Sequence, residues 1–104
     1  MQMKPGVSIL GIKPELLFGL ILAESVFGVF DEELVVTSVV DGVHGTFSYH
    51  PGGYAADVRL PVVADPSQLR QRLAASLGPA FDVVLEDTHI HIEFELLRSK
   101  FSVS

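Results

Sequence analysis

The chain has 104 residues, enough for one domain with a single modest core, and 48% of them are apolar, which excludes a disordered chain. Its 7 basic and 13 acidic residues leave a formal charge of −6, the wrong sign for a nucleic-acid partner and unfavourable at an anionic membrane surface. There is no cysteine, so disulfides and thiolate metal sites are excluded, and any metal must be held by histidine and carboxylate.

Met1 to Lys13 reads as an irregular lead-in. From Pro14 to about Phe27 the residues are apolar on most faces, which predicts a well-covered core helix. Pro14 suits its first turn, and Glu15 complements the positive end of its dipole. The apolar run from Leu16 to Ala23 is interrupted by Glu24, lacks a clean small-x-small cleavage site and is too short to span a bilayer. The expectation is therefore no export signal and no membrane span. Gly28 and the cluster Asp31-Glu32-Glu33 end the helix. Leu34 to Val40 is short and β-branched, the signature of a buried strand.

Asp41-Gly42 is a turn signal, and Val43 to Gly53, built of Gly, His, Ser, Tyr and Pro, reads as a functional loop. Ala55 to Leu60 is a strand closed by Pro61. Asp65 caps a helix from Pro66 through Leu77, in which Leu69, Leu73 and Leu77 recur at four-residue spacing. Gly78-Pro79 stops it. Phe81–Leu85 and His89–Leu96, joined by Glu86-Asp87-Thr88, predict an antiparallel hairpin. Alternation in the second strand places Ile90, Ile92, Phe94 and Leu96 on one face and His89, His91, Glu93 and Glu95 on the other. Arg98 to Ser104 is a polar tail. The sum is an α+β domain, a small and mainly antiparallel sheet with helices packed on one side.

The chemistry concentrates in two places. Ser48 to Asp57 reads Ser-Tyr-His-Pro-Gly-Gly-Tyr-Ala-Ala-Asp, where the Pro-Gly-Gly turn lets His50 and Asp57 aim at one point. Imidazole nitrogen and carboxylate oxygen suit zinc. His89 and His91 project together from the polar face of the last strand. An isolated His-x-His there is most simply a solvated face. Joined to the loop, however, one strand histidine with His50 and Asp57 completes three ligands and leaves a position for water.

The pattern Ser48-x-His50-x-x-Gly53-x-Ala55-x-Asp57, with a late His89-x-His91 strand, resembles the zinc peptidases that include D-alanyl-D-alanine carboxypeptidases, D-alanyl-D-alanine dipeptidases and phage endolysins. The zinc domain of hedgehog signalling proteins is a relative of that group. His44, in a Gly-x-His ahead of the motif, also fits, and Phe81-Asp82-Val83-Val84-Leu85-Glu86 is similar to the small phage-encoded members. The resemblance covers roughly Leu34 to Glu95. It implies the hedgehog/D-Ala-D-Ala-peptidase fold, one zinc ion held by His50, Asp57 and His91, and hydrolysis of peptidoglycan stem peptides. It also implies a place for His89 beside the reacting groups, with His44 lining the cleft and Ser48 shaping the loop. In such a site zinc activates water and polarises the scissile carbonyl, while a carboxylate carries the proton.

Two positions depart from the family pattern. Relatives carry an acid three residues before the ligand histidine; counted from His91, that residue is Thr88. Glu86 and Asp87 are the neighbouring carboxylates, and Glu86 is preferred as the base. Counted from His89, Glu86 itself falls at the family spacing, but His91 is preferred as the ligand because Ile92-Glu93 follows it as in the relatives. The basic residue that holds substrate charge after the Thr-Ser strand is missing, and Arg59 is its nearest replacement or else a solvated surface residue. The alternative function is a zinc-binding domain without catalysis. For a wall hydrolase with no export signal, release by a phage lysis or virion route is the expected path.

Overall fold

Local signals decide most of the elements in the computed structural model, which describes residues 1–40 and 54–95. The carboxylate of Asp65 accepts the Gln68 N–H at 3.0 Å and opens helix α2, Pro66–Leu77. Gly78, with φ of 86°, closes it in a backbone conformation that a side chain would resist. Helix α1, Pro14–Val29, begins at its proline after Lys13 and ends at Phe30, where Asp31 turns the chain with φ of 59°. The strands are β1 (Gln2–Met3), β2 (Val35–Val40), β3 (Ala55–Arg59), β4 (Phe81–Leu85) and β5 (His89–Phe94).

They form one mixed sheet in the order β1-β2-β3-β5-β4. The β1–β2 pairing is parallel, and the other neighbours are antiparallel. The lead-in expected to be irregular therefore supplies a short edge strand. Two residues are too few to show a period, and their pairing is made by β2 rather than by their own sequence. The β2–β3 register shifts between Val36 and Ser38, so that Val36 faces Val58 while Ser38 faces Asp57. This irregularity sets the extra residue Thr37 beside Asp57, whose carbonyl accepts its hydroxyl at 3.3 Å.

Both helices cover the same face. Leu16, Leu20, Ala23 and Phe27 of α1 and Leu69, Leu73 and Leu77 of α2 close over Val36, Ala56, Val58, Val83, Ile90 and Ile92. A fully buried Ile or Leu contributes roughly 1.5–3 kcal/mol, so this layer is the main source of stability. Close approach of α1 depends on Gly19, since a Cβ there would lie 2.4 Å from Cε2 of Phe81. Helix α1, expected to be well covered because it is apolar on most faces, leaves Phe18, Ile21 and Val29 60%, 51% and 66% exposed. Only one stripe of a helix that is apolar on most faces can meet a single sheet.

The connection from β3 to α2 is tied to the end of α1. The Glu32 carboxylate accepts the N–H groups of Val62, Val63 and Ala64 at 2.9, 2.8 and 2.7 Å. These bonds, that of Ala64 foremost, hold its pKa below the ordinary 4.5. On the helix side, Tyr54 stacks on Phe94 at 5.6 Å, and Phe94 meets Phe81 edge-on at 5.4 Å. The aromatic series links α1 to the residue that enters β3. Among the described residues no helix is long and apolar enough to cross a membrane.

Candidate metal and hydrolase site on the open face of the sheet

The face turned away from the helices carries the polar side chains. Strand pairing sets Asp57 opposite His91 and Arg59 opposite His89. Because Ala56, Val58, Ile90 and Ile92 are all buried on the core side, their alternating neighbours Asp57, His89 and His91 must share the open side. Residues far apart in sequence thus meet by register alone.

His91 is clamped between two carboxylates. Its Nδ1 lies 2.8 Å from Oδ1 of Asp57, and its Nε2 lies 3.0 Å from Oε1 of Glu93. Nε2 of His89 stands 3.6 Å from the same Asp57 oxygen. The three side chains of Asp57, His91 and Glu93 are partly covered, with 22%, 25% and 28% of each exposed. For His91 partial burial is the largest single influence and lowers its pKa. Hydrogen bonds and charge from Glu93 and Asp57 together outweigh burial and leave the pKa raised above 6.5.

The hairpin turn sits next to this group. Glu86 N–H donates to the His89 carbonyl at 2.8 Å, and the Leu85–Ile90 pair precedes it on the core side. Alternation then turns Glu86 toward the His89 face and leaves Asp87 at the exposed tip. The hydroxyl of Thr88 meets Nδ1 of His89 at 3.0 Å. Arg59 is exposed at the end of β3.

Of the residues singled out from the sequence, Asp57, His89 and His91 are brought together, with Glu86 and Arg59 at the same end of the face. His44, Ser48 and His50 lie outside the described residues, as do the Asp41-Gly42 turn, the loop through Gly53, Leu96 and the tail from Arg98. Asp57 and His91 fit zinc in donor chemistry, one oxygen and one nitrogen side by side. Among the described residues no group of three or more His, Asp or Glu is placed to hold a metal ion. Glu93, expected from alternation on the same face as His91, was given no role in the site from the sequence; its position two residues after His91 was the available signal. It also overlooked Thr88 as a partner of His89.

Comparison with protein-family models, with curated proteins and with solved structures found no match.

Proposed function

We propose that the open face is the zinc site of a peptidase that hydrolyses peptidoglycan stem peptides, of the D-Ala-D-Ala carboxypeptidase or L-Ala-D-Glu endopeptidase type. The fold assigned with it is the hedgehog/D-Ala-D-Ala-peptidase variety of the α+β arrangement. One observation carries the reading: Asp57 and His91, separated by 34 positions, meet at 2.8 Å across the β3–β5 pair with His89 beside them. This juxtaposition is what the two separate motifs require if they belong to one site.

His50, Asp57 and His91 would hold the ion. When bound, zinc supplies a Lewis acid and lowers the pKa of water for attack on a carbonyl. Glu86, on the His89 face, takes the proton of the attacking water and returns it to the leaving amine. His89 donates to the oxygen on which charge develops. Arg59, with its guanidinium in solvent near His89, attracts a carboxylate of the substrate. Delivery to the wall by a phage lysis or virion route belongs to the same proposal.

A second reading has its own observation. Thr88 stands where relatives of the resembled family carry an acid, and its hydroxyl meets Nδ1 of His89 at 3.0 Å, which favours a zinc-binding domain serving interaction without hydrolysis. Digestion of purified peptidoglycan, with products identified by mass, separates the two. The hydrolase reading expects a single class of cleaved stem peptide, lost in His50→Ala together with about one zinc per chain. Stoichiometric zinc without any cleavage would leave the binding domain. Zinc-free wild-type protein would end both readings. Full activity in Glu86→Gln would remove Glu86 as the base.

A further inference from the structure

We propose that the outer stripe of helix α1 is the surface on which two copies of this chain associate, antiparallel about a two-fold axis. Phe18, Ile21 and Val29 are largely exposed, and Leu22 and Ser25 complete the stripe at helical spacing. The stripe points away from the sheet, because Leu16, Leu20, Ala23 and Phe27 occupy the opposite side of the same helix. It carries no charge of its own, and Glu24, to one side, pairs with the amino terminus of Met1. A contiguous apolar row of this kind on a water-facing helix marks an association surface.

The stripe is complementary to itself. Its N-terminal part is bulky, with Phe18, Ile21 and Leu22, and its C-terminal part borders a groove between α1 and α2. Leu22, Ser25, Val26, Val29, Arg72 and Ser76 line this groove, whose volume is about 320 Å³. An apolar cavity of about 150 Å³ holds a benzene ring, so the groove has room for the ring of a second Phe18. Ring and groove lie along one helix, roughly 10 Å apart at 1.5 Å per residue. With a two-fold axis between them, antiparallel packing places each Phe18 in the groove of the other copy. A parallel pair would set Phe18 against Phe18 and leave both grooves empty. Charge agrees with this arrangement. Glu15 lies one turn before Phe18, Arg72 lines the groove, and among the described residues neither has an ion-pair partner. Entry of Phe18 brings Glu15 toward Arg72 of the other copy, whose guanidinium also meets the ring as a cation. The open face of the sheet stays uncovered, so the association is independent of the zinc reading.

Sedimentation equilibrium of the full chain over a wide range of concentration tests this. Wild type is expected to pass from monomer to dimer as concentration rises. Phe18→Ser is expected to weaken the dimer by about 10–100-fold, the loss of a central aromatic anchor, and to keep cooperative melting because Phe18 lies on the surface. Arg72→Glu should weaken the dimer less, and Glu15→Arg combined with Arg72→Glu should recover most of that loss. The chain has no cysteine, so Ser25→Cys, close to the axis, should oxidise to a covalent dimer far faster than Val63→Cys on an exposed loop. A monomer at every concentration would overturn the proposal, as would a dimer indifferent to Phe18→Ser, or one cross-linked no faster in Ser25→Cys than in Val63→Cys. Phe18-dependent binding of a monomeric chain to uncharged phosphatidylcholine vesicles would also overturn it, assigning the stripe to a lipid surface.

Discussion

The two faces of the sheet are built from the same strands by opposite rules. On the helix side, Ala56, Val58, Ile90 and Ile92 are fully buried and interchangeable in kind, since each needs only to be apolar and to fit. On the open side, the two histidines His89 and His91 and the two carboxylates Asp57 and Glu93 are partly exposed and in specific polar contact. The Asp57–His91 pair is bracketed by Ala56–Ile92 and Val58–Ile90. A slip of one residue in either strand would turn the site inward and the core outward. The open face thus inherits its precision from the buried one, and the dependence runs in one direction.

The largest expected effect breaks the open face and spares the core. Asp57→Ala should abolish stoichiometric zinc, a loss beyond the roughly 10–100-fold that a supporting residue costs, and remove hydrolysis with it. Elemental analysis and peptidoglycan digestion measure both. Asp57 is 22% exposed and its carboxylate lies outside the packed layer, so the metal-free variant should still melt cooperatively. Loss of cooperative melting in the metal-free variant would mean that the two faces are not separable in this way.

Ile92→Ala tests the reverse. Its side chain is fully buried directly between the site residues His91 and Glu93. Truncation should cost about 2–5 kcal/mol in denaturant unfolding, from lost transfer energy and the cavity left behind. Zinc affinity should fall as well, by less than in Asp57→Ala, because the register that sets His91 opposite Asp57 becomes less well enforced. A destabilised variant with undiminished zinc affinity would show that the site holds its own geometry.

The core face also contains an internal control for close packing. Gly19 of α1 has Phe81 ring atoms at 2.4 and 2.6 Å from an ideal Cβ, whereas Gly28 has nothing within 4 Å. In a helix, Gly→Ala ordinarily stabilises by about 0.8–1 kcal/mol. At Gly19 overpacking against Phe81, itself set against Phe94, should cost about 1–3 kcal/mol and reverse the sign. Chemical denaturation should therefore find Gly19→Ala less stable than wild type and Gly28→Ala as stable or more so.

The degree to which these features could be read beforehand followed their physical locality. Helix α2 has its cap, its leucine spacing and its stop within a dozen residues, and its predicted bounds match those observed. The alternation of β5 separated Ile90 and Ile92 from His89 and His91 correctly for the same reason. Strand β1 was missed because its signal resides in β2, and the exposed stripe of α1 because a helix apolar on most faces carries little phase. In the site, alternation placed His89 and His91 on one face of β5, while Asp57 was joined to them by ligand chemistry and by the motif spacing. Register was not available from alternation, so the opposition of Asp57 to His91, and the engagement of Glu93 rather than a turn carboxylate, required the assembled sheet.

The smallest expected effect concerns pH, and it distinguishes the faces because only the open one titrates through the neutral range. In the metal-free chain Glu93 and Asp57 raise the His91 pKa above 6.5 despite partial burial. A raised folded-state pKa means that the contribution of protonated His91 is complete below the unfolded value and is lost as pH rises through the folded one. Metal-free protein should therefore melt at slightly lower temperature as pH increases from about 6 to 8, the range in which imidazole titrates. His91→Gln should remove this part of the slope. On the proposed zinc reading the sign is reversed for the metal: an ion held by His91 would compete with the ring proton, so its affinity should rise over the same interval. Thermal melts with and without zinc, in wild type and His91→Gln, measure the two slopes together. If both wild-type slopes had the same sign, the proton and the metal would not be competing for His91.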